Sequence, residues 1–225
     1  MCFSATVSYS AAVILAGTGI YAFRQAGRLH PSYRAWALVP LFFGLQQAFE
    51  GLVWQALAAE NHSAAVRFGL GFHFFSHFLW LWWLPLSSYL VEPGKIKKRV
   101  FAGCGIFGAA AGGLVYTVML LHPEWMTVVV REHSIIYDFS APYRSDLHLP
   151  ITPVMLYGLT ILIPLLFSSH GLIKIFGGLV ILSMALASWF FNAAFVSVWC
   201  FFAAVLALYI VFMIHHLAPA SVRQD

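Results

Sequence analysis

Seven apolar runs follow one another along the chain, at residues 7–23, 35–58, 66–91, 100–121, 151–168, 172–191 and 194–217. Each is close to the roughly 20 residues that cross a 30 Å hydrocarbon core as a helix. The last two are separated only by a few residues around Asn192. Together they are about twice the length of one crossing, so two helices are expected there. The third run, VRFGLGFHFFSHFLWLWWLPLSSYLV, is strongly aromatic and carries His73 and His77, four residues apart. The pattern predicts an all-α integral membrane protein, a single seven-helix transmembrane domain over residues 1–225.

Composition agrees with the pattern. The chain is 61% hydrophobic and 9% charged, where a soluble domain has about 25% charged residues. So much apolar surface cannot be hidden in one soluble core. The formal charge of +4 is no nucleic-acid footprint, because the basic residues sit mostly in short loops between runs. Arg24, Arg28 and Arg34, then Lys95, Lys97, Lys98 and Arg99, then Lys174, then Arg223 all fall on one side when seven spans are counted. By the positive-inside rule the N-terminus is expected outside and the C-terminus inside. The first run lacks a basic leader and a small-residue cleavage site, so it is expected to remain as a span.

Three further features concern packing. The long connection at residues 122–150 contains TVVVREHSIIYDF, whose β-branched residues and weak alternation predict a short strand pair. We expect it to cap the outer mouth of the bundle. In the fourth run, GCGIFGAAAGG places Gly108 and Gly112 at small-xxx-small spacing, which lets helices approach closely. Pro85 and Pro164 fall inside runs and are expected to kink them. Cys2, Cys104 and Cys200 form no disulfide framework.

Candidate chemistry centres on the second and third runs. His73 and His77 share a helical face, with Ser76 and Trp80. Ionisable side chains inside a span are expensive and point to function. Glu50, counted at about 1.5 Å per residue along the antiparallel neighbour, falls at the depth of both histidines. Gln46 and Gln47 lie one turn deeper and Trp54 one turn shallower. Tyr116, Tyr157, Ser188 and Asn192 fall in the same outer half. Two imidazoles and a carboxylate match a two-histidine, one-carboxylate zinc set, whose open position would hold an activated water. His133 or His148 from the cap could complete the shell, and Asp146 could act as base. The rival expectation, which carries more weight, is structural: a neutral Glu50, with the histidines hydrogen-bonded to Gln46, Gln47 and each other between packed helices. His215 and His216 sit at a helix end, where snorkelling to the interface suits them. Removal of Met1 would expose a free amine and thiol at Cys2, a metal-binding or nucleophilic terminus.

The opening MCFSA and the second-run stretch LFFGLQQAFEGLVW resemble an uncharacterised family of bacterial multi-spanning membrane proteins. Those proteins begin Met-Cys-Phe-Ser-Ala and carry a Gln-Gln-x-x-Glu-Gly-x-x-Trp motif. The resemblance is specific over the N-terminal third. It implies a bacterial inner-membrane location and marks Cys2, Ser4, Gln46, Gln47, Glu50 and Trp54, without implying an activity. A looser likeness is to the alkaline ceramidase and progestin–adiponectin receptor superfamily, seven-helix proteins with a three-histidine zinc site. Here the histidine pair lies on the third run, not the seventh, so only architecture carries over.

Three functional expectations follow. The first is a metal-dependent hydrolase acting on a lipid-like amide or ester. In it Glu50, His73 and His77 hold zinc, and Asp146, His148 or Cys2 supplies the catalysis. The second is a binding or sensing protein whose aromatic-lined pocket takes an apolar, lipid-like ligand. The third is a copper- or iron-handling redox accessory. All three place the protein in contact with membrane lipid.

Overall fold

The computed structural model describes residues 4–131, 133–139, 153–190 and 195–217. Among them are seven helical rods. The first is α1 (Ala5–Leu29), capped by the Ser4 hydroxyl, which accepts from the Val7 N–H at 3.4 Å. It is followed by α2 (Arg34–Ala58). A tight turn with Glu60 at φ 53° leads to Asn61, whose side chain accepts from the Ala64 N–H at 3.0 Å and starts the third rod. That rod runs over residues 62–91 as α3 (His62–His73), a π-helical segment (Phe74–Leu79) and α4 (Trp80–Val91). Then come α5 (Lys95–Leu121), α6 (Pro153–Leu166), α7 (Gly171–Phe190) and α8 (Phe195–Leu217). Five helices are long and apolar enough to cross a membrane: α1, α2 with the short turn before it, α5, α7 and α8. The α6 helix is apolar but shorter.

The bundle is built around α2. It packs on α1, α3, α4 and α8, while α6 links α4 and α5 to α7. Trp36, Val39, Phe43 and Val53 of α2 are all buried. The outside of the bundle is apolar in turn: Val13, Ile106, Leu114 and Trp189 are 69–83% exposed. Apolar residues on both the inside and the outside are what a bilayer solvent demands. The last two runs form two separate helices, since α7 and α8 pack side by side.

The seam between α5 and the third rod is tight at two glycines. A Cβ built on Gly108 would lie 2.0 Å from the Leu81 carbonyl oxygen, and one on Gly112 would lie 2.6 Å from that of His77. Pro85 explains why Leu81 is there. A proline has no N–H, so the carbonyl four residues earlier is released from the helix ladder. The bare Gly108 backbone comes up against that oxygen, a contact of the Cα–H to oxygen type found between close helices.

Residues 126–139 form an antiparallel hairpin, β1 (Met126–Arg131) with β2 (Ser134–Phe139), in register Arg131↔Ser134. His133 in its turn has φ 60°. Met126, Val128 and Ile135 bury against Val53, Ala56 and Ala65 of α2 and α3. Ile136 packs against the cluster of Ala187 and Val198 on α7 and α8.

The opposite end of the bundle is clasped by Glu92, just past α4. The Ser169 hydroxyl donates to Glu92 Oε1 at 2.6 Å, the Ser169 N–H to Oε2 at 2.8 Å, and the Gly94 N–H to Oε1 at 3.2 Å. Lys97 Nζ donates to the Ser169 Oγ at 2.9 Å. Burial alone would raise the Glu92 carboxyl. The bonds from Ser169 and Gly94 and the Lys97 charge outweigh it and hold the carboxyl below its ordinary value. A depressed folded-state value means stabilisation that is complete above the unfolded carboxylate range, near pH 4, and lost as pH falls through the folded value. The apparent Tm of the wild type in detergent should therefore fall more steeply below about pH 4.5 than that of Glu92→Gln. The two curves should converge in acid. Parallel curves would refute the clasp.

Candidate functional site

Among the described residues, two polar clusters in the bundle interior concern the site. The first is centred on α2. Gln46, Gln47 and Glu50 are fully buried. Gln46 Oε1 accepts from the Trp80 indole N–H at 2.8 Å, and Trp80 stacks on Phe43 with centroids 4.0 Å apart. Gln47 Nε2 donates to Glu50 Oε2 at 3.2 Å. From α8 the Ser197 hydroxyl donates to Glu50 Oε1 at 2.5 Å. Gln47 Oε1 finds no hydrogen-bond partner among the described residues, and the Gln46 side chain also faces the Cys200 thiol of α8.

The second cluster lies on the π segment. Ser76 Oγ is 3.1 Å from His73 Nδ1 and 2.9 Å from His77 Nδ1. The two imidazole rings meet edge to face with centroids 4.7 Å apart. Tyr137 of the hairpin lies against His73 at 4.7 Å and stacks on Phe72 at 5.1 Å. A hydroxyl has one proton to give. At most one of the two histidines can receive it, so at least one must donate its own Nδ1–H to Ser76. In the neutral ring that leaves its Nε2 as an acceptor. π-helical turns are frequent at functional sites.

Beside this cluster is a cavity of about 300 Å³. Its wall includes Ser76 and His77 from the π segment, Phe107, Gly112 and Val115 from α5, Tyr157 and Thr160 from α6, Met184 from α7, and Trp199 and Cys200 from α8. The wall is mainly aliphatic and aromatic. Ser197 and Cys200 are three apart on α8, hence on one face. That face thus reaches Glu50 through Ser197 and the cavity through Cys200.

The expected metal set is not assembled. Among the described residues no group of three or more His, Cys, Asp and Glu side chains could hold a metal ion. Glu50 is taken by Ser197 and Gln47, while His73 and His77 share Ser76. Zinc, copper or iron would find two imidazoles here, and any further ligand would come from outside the described residues. Cys2, Asp146, His148 and Asn192 lie outside them.

The expected ligand pocket is redistributed as well. Ser76 and Tyr157 line the cavity. Trp80 turns to Gln46 rather than sharing the histidine face, because the π segment winds more loosely than 3.6 residues per turn. Gln46 and Gln47 belong with Glu50, and Tyr116 spends its hydroxyl on the Leu70 carbonyl at 3.2 Å. Trp54 packs among apolar neighbours on α2 and α3. Tyr137, Thr160, Ser197, Trp199 and Cys200 join the site without having been expected there. The available signal was the Ser197–Cys200 spacing, two small polar side chains on one face in the first, otherwise apolar turns of α8.

No curated protein and no solved structure matches the chain. A family model does, over nearly the whole length. The chain belongs to a family of unknown function, DUF6629, whose model matches residues 1–224.

Proposed function

We propose that the protein is a binding or sensing module for an apolar ligand drawn from the bilayer. The carrying observation is the cavity of about 300 Å³, at the lower end of the roughly 300–1,000 Å³ range of small-molecule sites. Phe107 and Val115, at 47% exposure, and Leu156, at 39%, belong both to its wall and to the flank of the bundle. A ligand dissolved in the hydrocarbon can therefore enter from the side. In the orientation given by the basic loops, the hairpin lies on the outer side and Glu92 on the inner side. Tyr137 then covers His73 from the outer surface. A bacterial inner membrane suits this orientation.

Ala111 of α5 lines the cavity, so Ala111→Phe fills it. Organic extracts of protein purified in mild detergent should carry an apolar compound near one per chain in the wild type. The extract of a folded Ala111→Phe variant should carry less than a tenth as much. Identical extracts would overturn the proposal.

A further inference from the structure

We infer that the ligand enters this cavity with an uncharged oxygen head, a hydroxyl or a carbonyl, and that fatty carboxylates and phosphates are refused. The inference rests on the ligand-binding reading above and specifies the ligand's chemistry. Among the described residues the cavity wall holds no Lys, Arg, Asp or Glu. An ionised head would lose its hydration there and gain no counter-ion, which is prohibitive in an apolar setting. A wholly apolar ligand, in contrast, would leave the polar groups of the wall unanswered.

Those groups can be accounted for one by one. The Ser76 hydroxyl is committed to both imidazoles. The Thr160 hydroxyl donates to the Leu156 carbonyl at 2.7 Å. The Cys200 thiol faces the Gln46 side chain. That leaves His77 Nε2, the Tyr157 hydroxyl and the Trp199 indole N–H, which has no hydrogen-bond partner among the described residues, as the groups the wall has to offer. His77 Nε2 is a donor when Ser76 gives its proton to His77, and an acceptor when His77 gives its Nδ1–H to Ser76. The tyrosine hydroxyl serves in either sense. A neutral oxygen head meets both cases, with a carbonyl accepting and a hydroxyl able to do both. Taking about 30 Å³ per water-sized group, the cavity holds roughly ten such groups. It can take the head and a short length of chain, and the remainder leaves past Phe107 and Leu156 into lipid.

Four twelve-carbon probes test this: tritiated 1-dodecanol as the reporter, with 2-dodecanone, dodecanoate and dodecyl phosphate as competitors. Binding is read by scintillation proximity on the full chain in lipid nanodiscs, with Ala111→Phe defining the non-specific signal. Dodecanol should bind saturably, and dodecanone should displace it. Dodecanoate and dodecyl phosphate should compete at least tenfold more weakly. His77→Phe should weaken dodecanol binding about tenfold, the loss of one hydrogen bond. Tyr157→Phe, which removes only a hydroxyl, should weaken it several-fold. Dodecanoate competing as well as dodecanone would overturn the head class and leave the cavity reading intact. Absence of saturable binding by any of the four would overturn both. The probe comparison in the wild type needs no variant, so it stands even if His77→Phe fails to fold.

Discussion

Gly108→Val should cost the protein its native bundle at moderate temperature, with a fall in apparent Tm of about 5–10 °C or loss of folded yield on purification. The reason is hard contact rather than propensity. Any Cβ at this position lies 2.0 Å from a backbone oxygen, that of Leu81, and ordinary contact requires more than 3 Å. Backbone cannot rotate away as a side chain can. Either α5 withdraws or α4 bends, and both are anchored on α6. Overpacking a close-packed contact costs about 1–3 kcal/mol and sometimes more. Gly103 provides the control. It is on the same helix, and a Cβ there would meet nothing within 4 Å, so Gly103→Ala should be neutral or slightly stabilising by helix propensity. Circular-dichroism melts of the two variants in one detergent decide the matter. Equal Tm values for Gly108→Val and wild type would mean that α4 and α5 do not meet along this seam.

The seam was legible in the sequence because small-xxx-small spacing is a local signal. The helical runs were legible for a related reason, since bilayer thickness fixes their length. Even their errors have local causes. The basic stretch KIKKR extends α5 back to Lys95, because charged side chains in a terminal turn can reach water while the backbone stays helical. The site was read less well. Depth along a helix follows from counting residues, and it placed Glu50 level with the histidines. The direction in which a side chain faces around the helix depends on which rods are neighbours. Here α8, the last of the described helices, packs on α2 and brings Ser197 to Glu50. No local pattern announces that pairing. The π segment is a second non-local surprise. It parts Trp80 from the histidine face that uniform α-helical counting assigns to it.

Glu50→Ala should destabilise the bundle strongly, while Glu50→Gln should be nearly silent. Glu50 is fully buried, and its carboxylate accepts from Ser197 at 2.5 Å and from Gln47 at 3.2 Å. Alanine strands both donors in an apolar interior, at about 1–3 kcal/mol for each unsatisfied group. The emptied side-chain volume adds to that. The expected fall in apparent Tm is about 5–10 °C. Glutamine keeps the shape and one oxygen for Ser197. Its new amide N–H₂ would face the donor side of Gln47, but Gln47 can turn its own amide over. Its Oε1, which has no partner among the described residues, then accepts from the substituted side chain. A carboxylate whose job is to receive two hydrogen bonds tolerates this exchange, whereas one that must carry charge for a metal or a proton does not. Thermal melts together with the dodecanol assay separate the two roles. If Glu50→Gln melts with the wild type and binds the probe as well, Glu50 organises the α2–α8 contact behind the cavity. If it melts normally and loses binding, the charge serves the ligand directly, and the uncharged wall is no longer the whole of the site.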